Sequence, residues 1–509
     1  MPNLTRLGVL SSNVVSLSLN ESIRLALANN NDIEVSRDDV RYAETQLHAL
    51  QGVYDPVFSI TPQLDNRVIP VQNITVGAPT GKLSTQVFSW NPSITKSFSR
   101  GGGTYELSFS NGKNTTSSTV STLNPYYSSN LSLTIAQPLW RNRSIDFNRR
   151  QIRVQKKRIE QSDADFRRMT IDVISRVQSA YWDLVFALRD QQVQLDNVNL
   201  SRENLRQIEA QISAGAKAPL DRSEVLTELA NRESALLFAT QTVSIAENAL
   251  KQLILKDSTA MQWSAQITPT DNPVVDTNPV NLDDAITEAR KNRPELQRLR
   301  LQRDINGIDL QYFRNQTKPQ IDIVSTLATT GLAGTPCNPA LPTCPPNIAP
   351  FLIGGYGKDL SNLAKFQTRN ITVGVTISLP LNNTTAKANL AGARIQQEQL
   401  DASVRSTEQT VEVDVRNAAQ SVESARLQVL SAREARRNAE IQLEGEQRLY
   451  SVGRSTTYLL IQRQNALANA RDSEVRAETN YSKAVANLQH ATSTTLHANS
   501  ISVDSPVKP

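Results

Sequence analysis

Few side chains in this 509-residue chain have the types and spacing that chemistry requires. Cys337 and Cys344, its only cysteines, close the Pro-rich run CNPALPTC. Two exposed thiols on one loop are a liability, so the pair reads as a small disulfide in an oxidising space. The alternative is two unpaired thiols in a reducing one. VGAPTGKL at Val76–Leu83 has the flavour of a phosphate-binding loop. Its spacing to Gly81-Lys82 is one residue short, however, and Leu83 stands where a Ser or Thr must hold Mg²⁺. His48, His490 and His497 have no histidine four residues away and no neighbouring cysteine. They read as surface or interface residues. Three His and two Cys are too few and too scattered for a structural zinc site. No catalytic, metal or cofactor site is expected, and the chain does not read as an enzyme.

The composition points to architecture instead. Lys+Arg number 54 and Asp+Glu 49, giving a net charge of only +5. The signs are mixed along the chain, which argues against nucleic acid as a partner. Hydrophobic residues are 39% and aromatics 5%, too few for one large spherical core. Long helices with polar faces fit better. The first 22 residues hold one Arg and no apolar core of seven residues, so no signal peptide is visible in this sequence. The uncharged run from Ile323 to Gly357 contains six prolines and cannot be a spanning helix. If the chain meets a membrane, it does so by strands.

The elements come in two copies. SLNESIRLALANNNDI at Ser18–Ile33 matches NLDDAITEARKNRPEL at Asn281–Leu296 with a constant offset of 263, which also carries Pro56 onto Pro319. TIAQPL at Thr134–Leu139 matches TISLPL at Thr376–Leu381. Each copy begins with an amphipathic helix, about Asn20–Gln51 and Leu282–Asn315. Short alternating strands follow at Val57–Leu64 and Gln320–Leu327, and return at Asn130–Gln137 and Thr372–Leu379. GGG at Gly101–Gly103 precedes a strand pattern and reads as a hairpin turn.

After Pro138 and Pro380 the pattern turns helical with heptad spacing. Ile145, Ile152, Ile159, Phe166, Val173, Ala180 and Ala187 fall seven apart, beside a line through Val177, Leu184, Val198, Leu205 and Ile212 that Gln191 interrupts. Val404, Val411, Ala418, Ala425, Ala432 and Ala439 repeat likewise, beside Val415, Val422 and Val429. Sustained heptads mean coiled-coil packing. Both helices break at a glycine, Gly215 and Gly453, and resume, so each reads as an antiparallel hairpin with glycine at its tip. The expected organisation is an N-terminal segment 1–16, a first repeat 17–256, a linker 257–280, a second repeat 281–492 and a tail 493–509.

Together these features resemble the TolC-like outer membrane channel proteins, the exit ducts of Gram-negative efflux pumps and type I secretion systems. The resemblance covers about Leu17 to Thr492. It rests on the duplicated opening, on Pro56, Pro138, Pro319 and Pro380 at the four strand–helix junctions, and on the two glycine tips. It implies a mixed, mainly α fold with β, in which three chains share a twelve-stranded barrel continued by a periplasmic helical tunnel. Physics agrees on oligomerisation: open strand edges cannot be satisfied in lipid, and four strands are too few to close a barrel. Tyr54, Phe58, Tyr126, Tyr127 and Trp140 flank the strands as interfacial aromatics do. The long stretch from Asp65 to Ser129 holds two further strand-like runs, about Gln86–Ser99 and Thr104–Ser110, and is expected outside the cell as a protruding hairpin, with the segments of it that enter the barrel wall left open by the sequence.

The resemblance also implies partners and sites. The partners are a homotrimer, outer membrane lipid, a periplasmic adaptor (membrane fusion protein) and an inner-membrane pump. Ala214, Gly215, Ala216, Val452, Gly453 and Arg454 are the implied adaptor-contact tips, and Asp221, Arg222, Glu224, Tyr450 and Gln462 the implied periplasmic gate, in which polar links between the two tips, such as the Tyr450 hydroxyl donating to Asp221, are expected to hold the duct closed. The family often has an acidic ring six and nine residues beyond the second tip glycine. Here those positions are Leu459 and Gln462, while Asp221 and Glu224 hold the matching spacing from Gly215. The competing reading is a soluble or periplasmic coiled-coil adaptor or scaffold, which explains the heptads but not the duplicated strands between prolines.

Overall fold

The computed structural model describes residues 6, 9, 13–72, 74–276, 278–338, 344 and 347–503. The N-terminal segment, the tail and the loop between the cysteines lie partly outside the described residues. In chain order, the first repeat runs β1 (Val14–Leu17), α1 (Leu19–Asn29), α2 (Asn31–Gln51), β2 (Val57–Pro70), β3 (Lys82–Ser97), β4 (Thr104–Thr116), β5 (Leu123–Pro138), α3 (Phe147–Ser213) and α4 (Pro219–Ile254). After β6 (Gln266–Pro269), the second repeat runs α5 (Leu282–Asn292), α6 (Pro294–Gln316), β7 (Gln320–Pro336), α7 (Tyr356–Ala364), β8 (Arg369–Ser378), α8 (Thr384–Ser451) and α9 (Thr457–Thr492). Two compact units form. One holds Met1–Ala43, Arg158–Gln302 and Leu400–Pro509, the other Glu44–Lys157 and Arg303–Gln399, so each draws on both repeats.

The second unit carries one antiparallel sheet in the order β2-β3-β4-β5-β7-β8. The four expected strands are present, each longer than its sequence pattern. The count of four is corrected to six, because β3 and β4 pair within the same sheet, between β2 and β5. Val57 at the foot of β2 is in register with Thr95 of β3, and Thr104 at the foot of β4 with Ala136 of β5. The turn between β3 and β4 therefore lies at the same edge of the sheet as the strand–helix prolines.

All six strands alternate in phase. One face carries Phe58, Ile60, Leu64 and Val68 on β2, Phe88, Trp90 and Ile94 on β3, and Leu107 and Phe109 on β4. It continues through Leu131, Leu133 and Ile135 on β5, Ile323 and Leu327 on β7, and Ile371, Val373, Val375 and Ile377 on β8. The other face is Ser, Thr, Asn and Gln for most of its area. Charged residues on the apolar face (Lys82, Lys96, Lys113 and Arg369) stand within three residues of a strand end. There a long side chain can reach water. From Phe58 to Val68 is ten residues, or about 26 Å of height in a tilted strand, close to the apolar band of a membrane barrel. Val57 registers across the sheet with Thr372, six residues short of the foot of β8 at Ser378. Six residues of stagger over five strand steps corresponds to a tilt of about 40°, as in closed barrels.

The same face changes character at the far end of β5 and β7. Ser129, Thr329, Gly331 and Ala333 are short there, and α7 lies on them. Asp359 is buried and accepts a hydrogen bond from Ser129, while Thr329 donates to the Leu363 carbonyl at 3.1 Å. A Cβ at Gly331 would overlap the Asp359 carbonyl. At the opposite edge each chain passage to a long helix uses a left-handed asparagine, Asn142 (φ 64°) and Asn383 (φ 44°). Asparagine tolerates that conformation. Asn142 takes 2.8 Å hydrogen bonds from Gln316 and to Asn315, and Asn383 donates to the Thr317 carbonyl at 3.2 Å. Residues 139–146 are thus turn rather than helix, and α3 starts later than its heptads suggest.

In the first unit the heptad lines become cores. Val173, Val177, Leu184 and Leu250 are buried with Ile23, Ile33 and Ile254 in one cluster. Val411, Val415 and Ala418 pack with Ala289 and Leu296, and Val422, Ala425 and Val429 with Tyr481. Gln191, the break in the first line, donates to Thr240 Oγ1 at 2.9 Å. The duplicated opening is an N-cap. Ser18 and Glu21 form a reciprocal capping box, and Asn281 Oδ1 accepts from Asp283 and Asp284.

The single opening helix expected in each repeat is instead two helices. Arg293 precedes Pro294, which excludes it from helical geometry. Asn30 is extended (φ −71°, ψ 125°) and caps Asp32 N at 3.0 Å. Both breaks serve a neighbour. Asn29, Asn30 and Asn31 donate to the carbonyls of Ile254, Leu253 and Lys256, each at 3.1 Å, at the end of α4. Arg293 donates to the Ala491 carbonyl at 2.7 Å near the end of α9. These satisfy helix-end carbonyls that otherwise have no intrahelical partner.

The linker is held by buried polar groups. β1 and β6 pair in parallel. Lys251 Nζ donates to the carbonyls of Trp263 (2.8 Å) and Ala265 (2.6 Å), and Glu247 accepts from Ile267 N at 2.6 Å. Arg6 pairs with the same Glu247. Burial pushes the Lys251 amine below its usual range, and Glu247 beside it opposes that. Replacing Lys251 by Ala removes two donated bonds and one of two cations beside a buried carboxylate. A loss of about 3 kcal/mol in stability is expected. Guanidinium unfolding followed by tryptophan fluorescence measures it, and an unchanged midpoint would show that the cluster holds nothing.

Candidate functional site

The two helical hairpins of the first unit turn at Gly215 (φ 71°) and Gly453 (φ 74°). The hydrogen bonding is the same at both. Gly215 N donates to Ile212 O and Ala216 N to Gln211 O; Gly453 N donates to Tyr450 O and Arg454 N to Leu449 O. This is the Schellman ending, with glycine at the one position that needs a left-handed backbone. A Cβ on either glycine would meet nothing within 4 Å, so the tips are open on the outside. Leu220 (79% exposed) and Val452 (68%) flank them. The six residues implied as adaptor contacts, Ala214 to Ala216 and Val452 to Arg454, therefore form the surface of two turns.

The turns are joined to each other. Lys217 Nζ donates to Thr457 Oγ1 at 3.3 Å and stands 5.4 Å from the centre of the Tyr450 ring. The Tyr450 hydroxyl reaches Gln211 Oε1 and Thr457 Oγ1, both at 3.5 Å. Asn204 donates to Gln464 at 2.8 Å, and Arg232 bonds Asn465. Ile208 and Val225 bury Ile461 beneath. Glu224 and Gln462, two of the implied gate residues, line one cavity of about 420 Å³ with Thr227, Glu228, Tyr458 and Asn465.

The structure does not bring Asp221 to Tyr450. Asp221 is three residues past Ala218 and accepts from its backbone N–H at 3.3 Å, capping α4 behind Pro219. Arg222 pairs with Glu209 at 3.0 Å on the same hairpin, an exposed contact. A local cap outcompetes a distant partner here because it needs no extra side-chain ordering. Lys217, Gln211 and Thr457, which make the observed links, carry no sequence signal beyond lying beside the turn glycines.

The remaining sites are structural. Pro56 and Pro319 directly precede β2 and β7, Pro138 ends β5, and Pro380 follows β8. Cys337 and Cys344 are joined, with Cα atoms 5.7 Å apart, and Cys337 N donates to Thr122 O beside the end of β5. His490 Nε2 lies 2.7 Å from Asp172 Oδ1. Among the described residues no helix is long and apolar enough to cross a membrane, and no group of three or more His, Cys, Asp or Glu could hold a metal ion.

An apolar-faced antiparallel sheet joined to glycine-turned helical hairpins defines the class: an outer membrane channel protein of mixed strand and helix. The chain belongs to the outer membrane efflux protein family, which matches residues 103–254 and 285–494. Such proteins transport; they are not enzymes. The fold is similar to that of the Campylobacter jejuni CmeC outer membrane channel, with TM-score 0.64, 16% identity, and 96% of this chain and 90% of that chain covered. It is similar also to the open state of the Neisseria gonorrhoeae MtrE outer membrane channel (0.62, 15%, 94% and 89%). The outer membrane protein VceC from Vibrio cholerae gives 0.61 and 14%, with 93% and 95% covered. No curated protein matches by sequence.

Two outcomes follow from these geometries. Thiol labelling of unreduced, denatured protein is expected to find no free cysteine, and two reactive thiols would refute an oxidised loop. Gly215→Ala places a Cβ in open space, so its cost is backbone strain alone, about 1 kcal/mol. Hydrogen exchange at the end of α3 should quicken about fivefold; unchanged exchange would show that the left-handed turn is not under that constraint.

Proposed function

We propose that this chain is the exit duct of a tripartite efflux pump or type I secretion system. In this reading it is a homotrimer in the outer membrane of a Gram-negative bacterium. Its sheets close one shared barrel and its helices line the periplasmic passage. The observation that carries the reading is the sheet. It has one face that is mainly apolar across all six strands, and its end strands β2 and β8 are exposed along nearly their whole length. A coiled-coil scaffold has no use for either feature. Exposed apolar side chains on the helices, such as Phe238 (72%), Ile245 (63%) and Ile441 (57%), suit burial against sister chains. Passage is read as passive, because the VGAPTGKL run at Val76–Leu83 lacks both the spacing and the Ser or Thr of a nucleotide-binding loop.

The tips Ala214-Gly215-Ala216 and Val452-Gly453-Arg454 are proposed to receive the periplasmic adaptor, which couples the duct to an inner-membrane pump. The gate is proposed at the adjacent residues, with Tyr450, Glu224 and Gln462 in the constriction and Asp221 and Arg222 holding the start of α4. Single exposed polar links contribute about 0–1 kcal/mol, so threefold repetition gives a closure that adaptor binding can override.

Detergent-extracted protein should have the mass of three chains and conduct ions in planar bilayers. A conducting monomer, or a trimer that never conducts, would sink the reading. Gly453→Leu should still trimerise but lose adaptor in a pull-down. Lys217→Ala with Tyr450→Phe should raise single-channel conductance, and unaltered conductance would place the constriction elsewhere.

A further inference from the structure

We infer that the β3–β4 hairpin is part of the membrane wall, so each chain supplies six strands and three chains close an eighteen-stranded barrel. The inference rests on the proposed trimer and goes beyond it. It stands on three observations. First, β3 and β4 span the sheet from foot to far end: Pro70 of β2 pairs with Lys82, and Thr85 of β3 with Thr116. Second, their side chains alternate in the same phase as the other four strands. Phe88, Trp90, Leu107 and Phe109 face the apolar side, with Trp90 and Phe109 in edge contact at 5.7 Å, while Ser89 and Ser108 face the polar side. A hairpin standing in water outside the cell has no need of such a face. Third, β3 and β4 lie inside the sheet order, between β2 and β5, so no wall can include β2 and β5 as sequential neighbours without including them.

The occupant of the two free edges is a second copy of this chain. Six is an even number, so β8 runs antiparallel to the β2 of the next copy and the alternation continues round the ring. Both edges carry apolar residues on one side and polar residues on the other, so pairing them extends both faces without a break. Hydrocarbon leaves unpaired edge groups no other partner. At strand spacing of about 4.8 Å and a tilt of about 40°, eighteen strands give a wall about 36 Å across, against about 24 Å for twelve. A wall of eighteen strands leaves an aqueous channel. Its lumen, lined by Ser, Thr and Asn, admits bulky hydrophilic cargo, which leaves selection to the helix turns.

The test is electron cryomicroscopy of the wild-type assembly in detergent, with the wall strands counted. Eighteen supports the inference. A trimer with twelve wall strands and the 82–116 segment outside the membrane overturns it and leaves the proposed function standing. A chain that does not partition into membranes overturns both. A second measurement uses single cysteines in a Cys337→Ser, Cys344→Ser background in proteoliposomes. Water-soluble maleimide should label Ser89→Cys and Ser108→Cys at least about tenfold faster than Phe88→Cys and Leu107→Cys, because one set faces water and the other lipid. Equal labelling of all four overturns the inference.

Discussion

A backbone N–H or C=O in hydrocarbon must find a partner within protein, and much of the sheet-bearing unit follows from that requirement. Six strands satisfy each other across five interfaces and leave two edges. An edge strand in water is usually blunted by prolines, bulges or charge. Here β8 is a run of alternating Ile, Val, Thr and Gly that is exposed along its full length. An edge of that form suits pairing with another strand, as the proposed shared barrel requires.

The helical unit answers a related requirement at its helix ends. Long helices leave carbonyls at their C-termini that water satisfies only where the end is exposed. The ends of α4 and α9 receive donors instead, from three successive asparagines in one repeat and from Arg293 in the other. The residues differ while the geometry is shared, which is how a duplicated unit drifts in sequence and keeps its fold. Tyr181 does similar work at the linker. Its hydroxyl meets Asp271 Oδ2 at 2.7 Å and accepts from the N–H groups of Thr270 and Asp271, and burial and Asp271 hold it protonated.

The turn region is built differently from these anchors. Whereas Asn204 and Gln464 further from the turns meet at 2.8 Å, the links beside the two glycines are long (3.3 to 3.5 Å) and involve neutral or flexible partners: Lys217, Tyr450, Gln211 and Thr457. Contacts of that kind are weak individually. The deep clusters around Lys251 and Tyr181 are short, buried and multiply bonded. The best-bonded buried clusters thus lie away from the turns, and the contacts beside the turn glycines are of the loose, replaceable kind that the proposed gate would need.

The sequence by itself determined the repeat, the strand–turn–helix order, the heptad cores and the glycine turns. Each is a local or periodic signal: alternation at two, spacing at seven, a cap residue, a left-handed position. Val411, Val415, Ala418 and Val422 could be read as core because burial follows the helical period. Tertiary structure alone decided how many strands share the sheet. Gln86–Ser99 and Thr104–Ser110 read as strands in isolation, but their neighbours depend on register between distant segments, which alternation cannot specify. It also decided that Asp221 caps its own helix rather than meeting Tyr450. A carboxylate beside a helix start and one beside a partner helix look the same in sequence, and the nearer N–H wins because reaching it orders the fewest bonds.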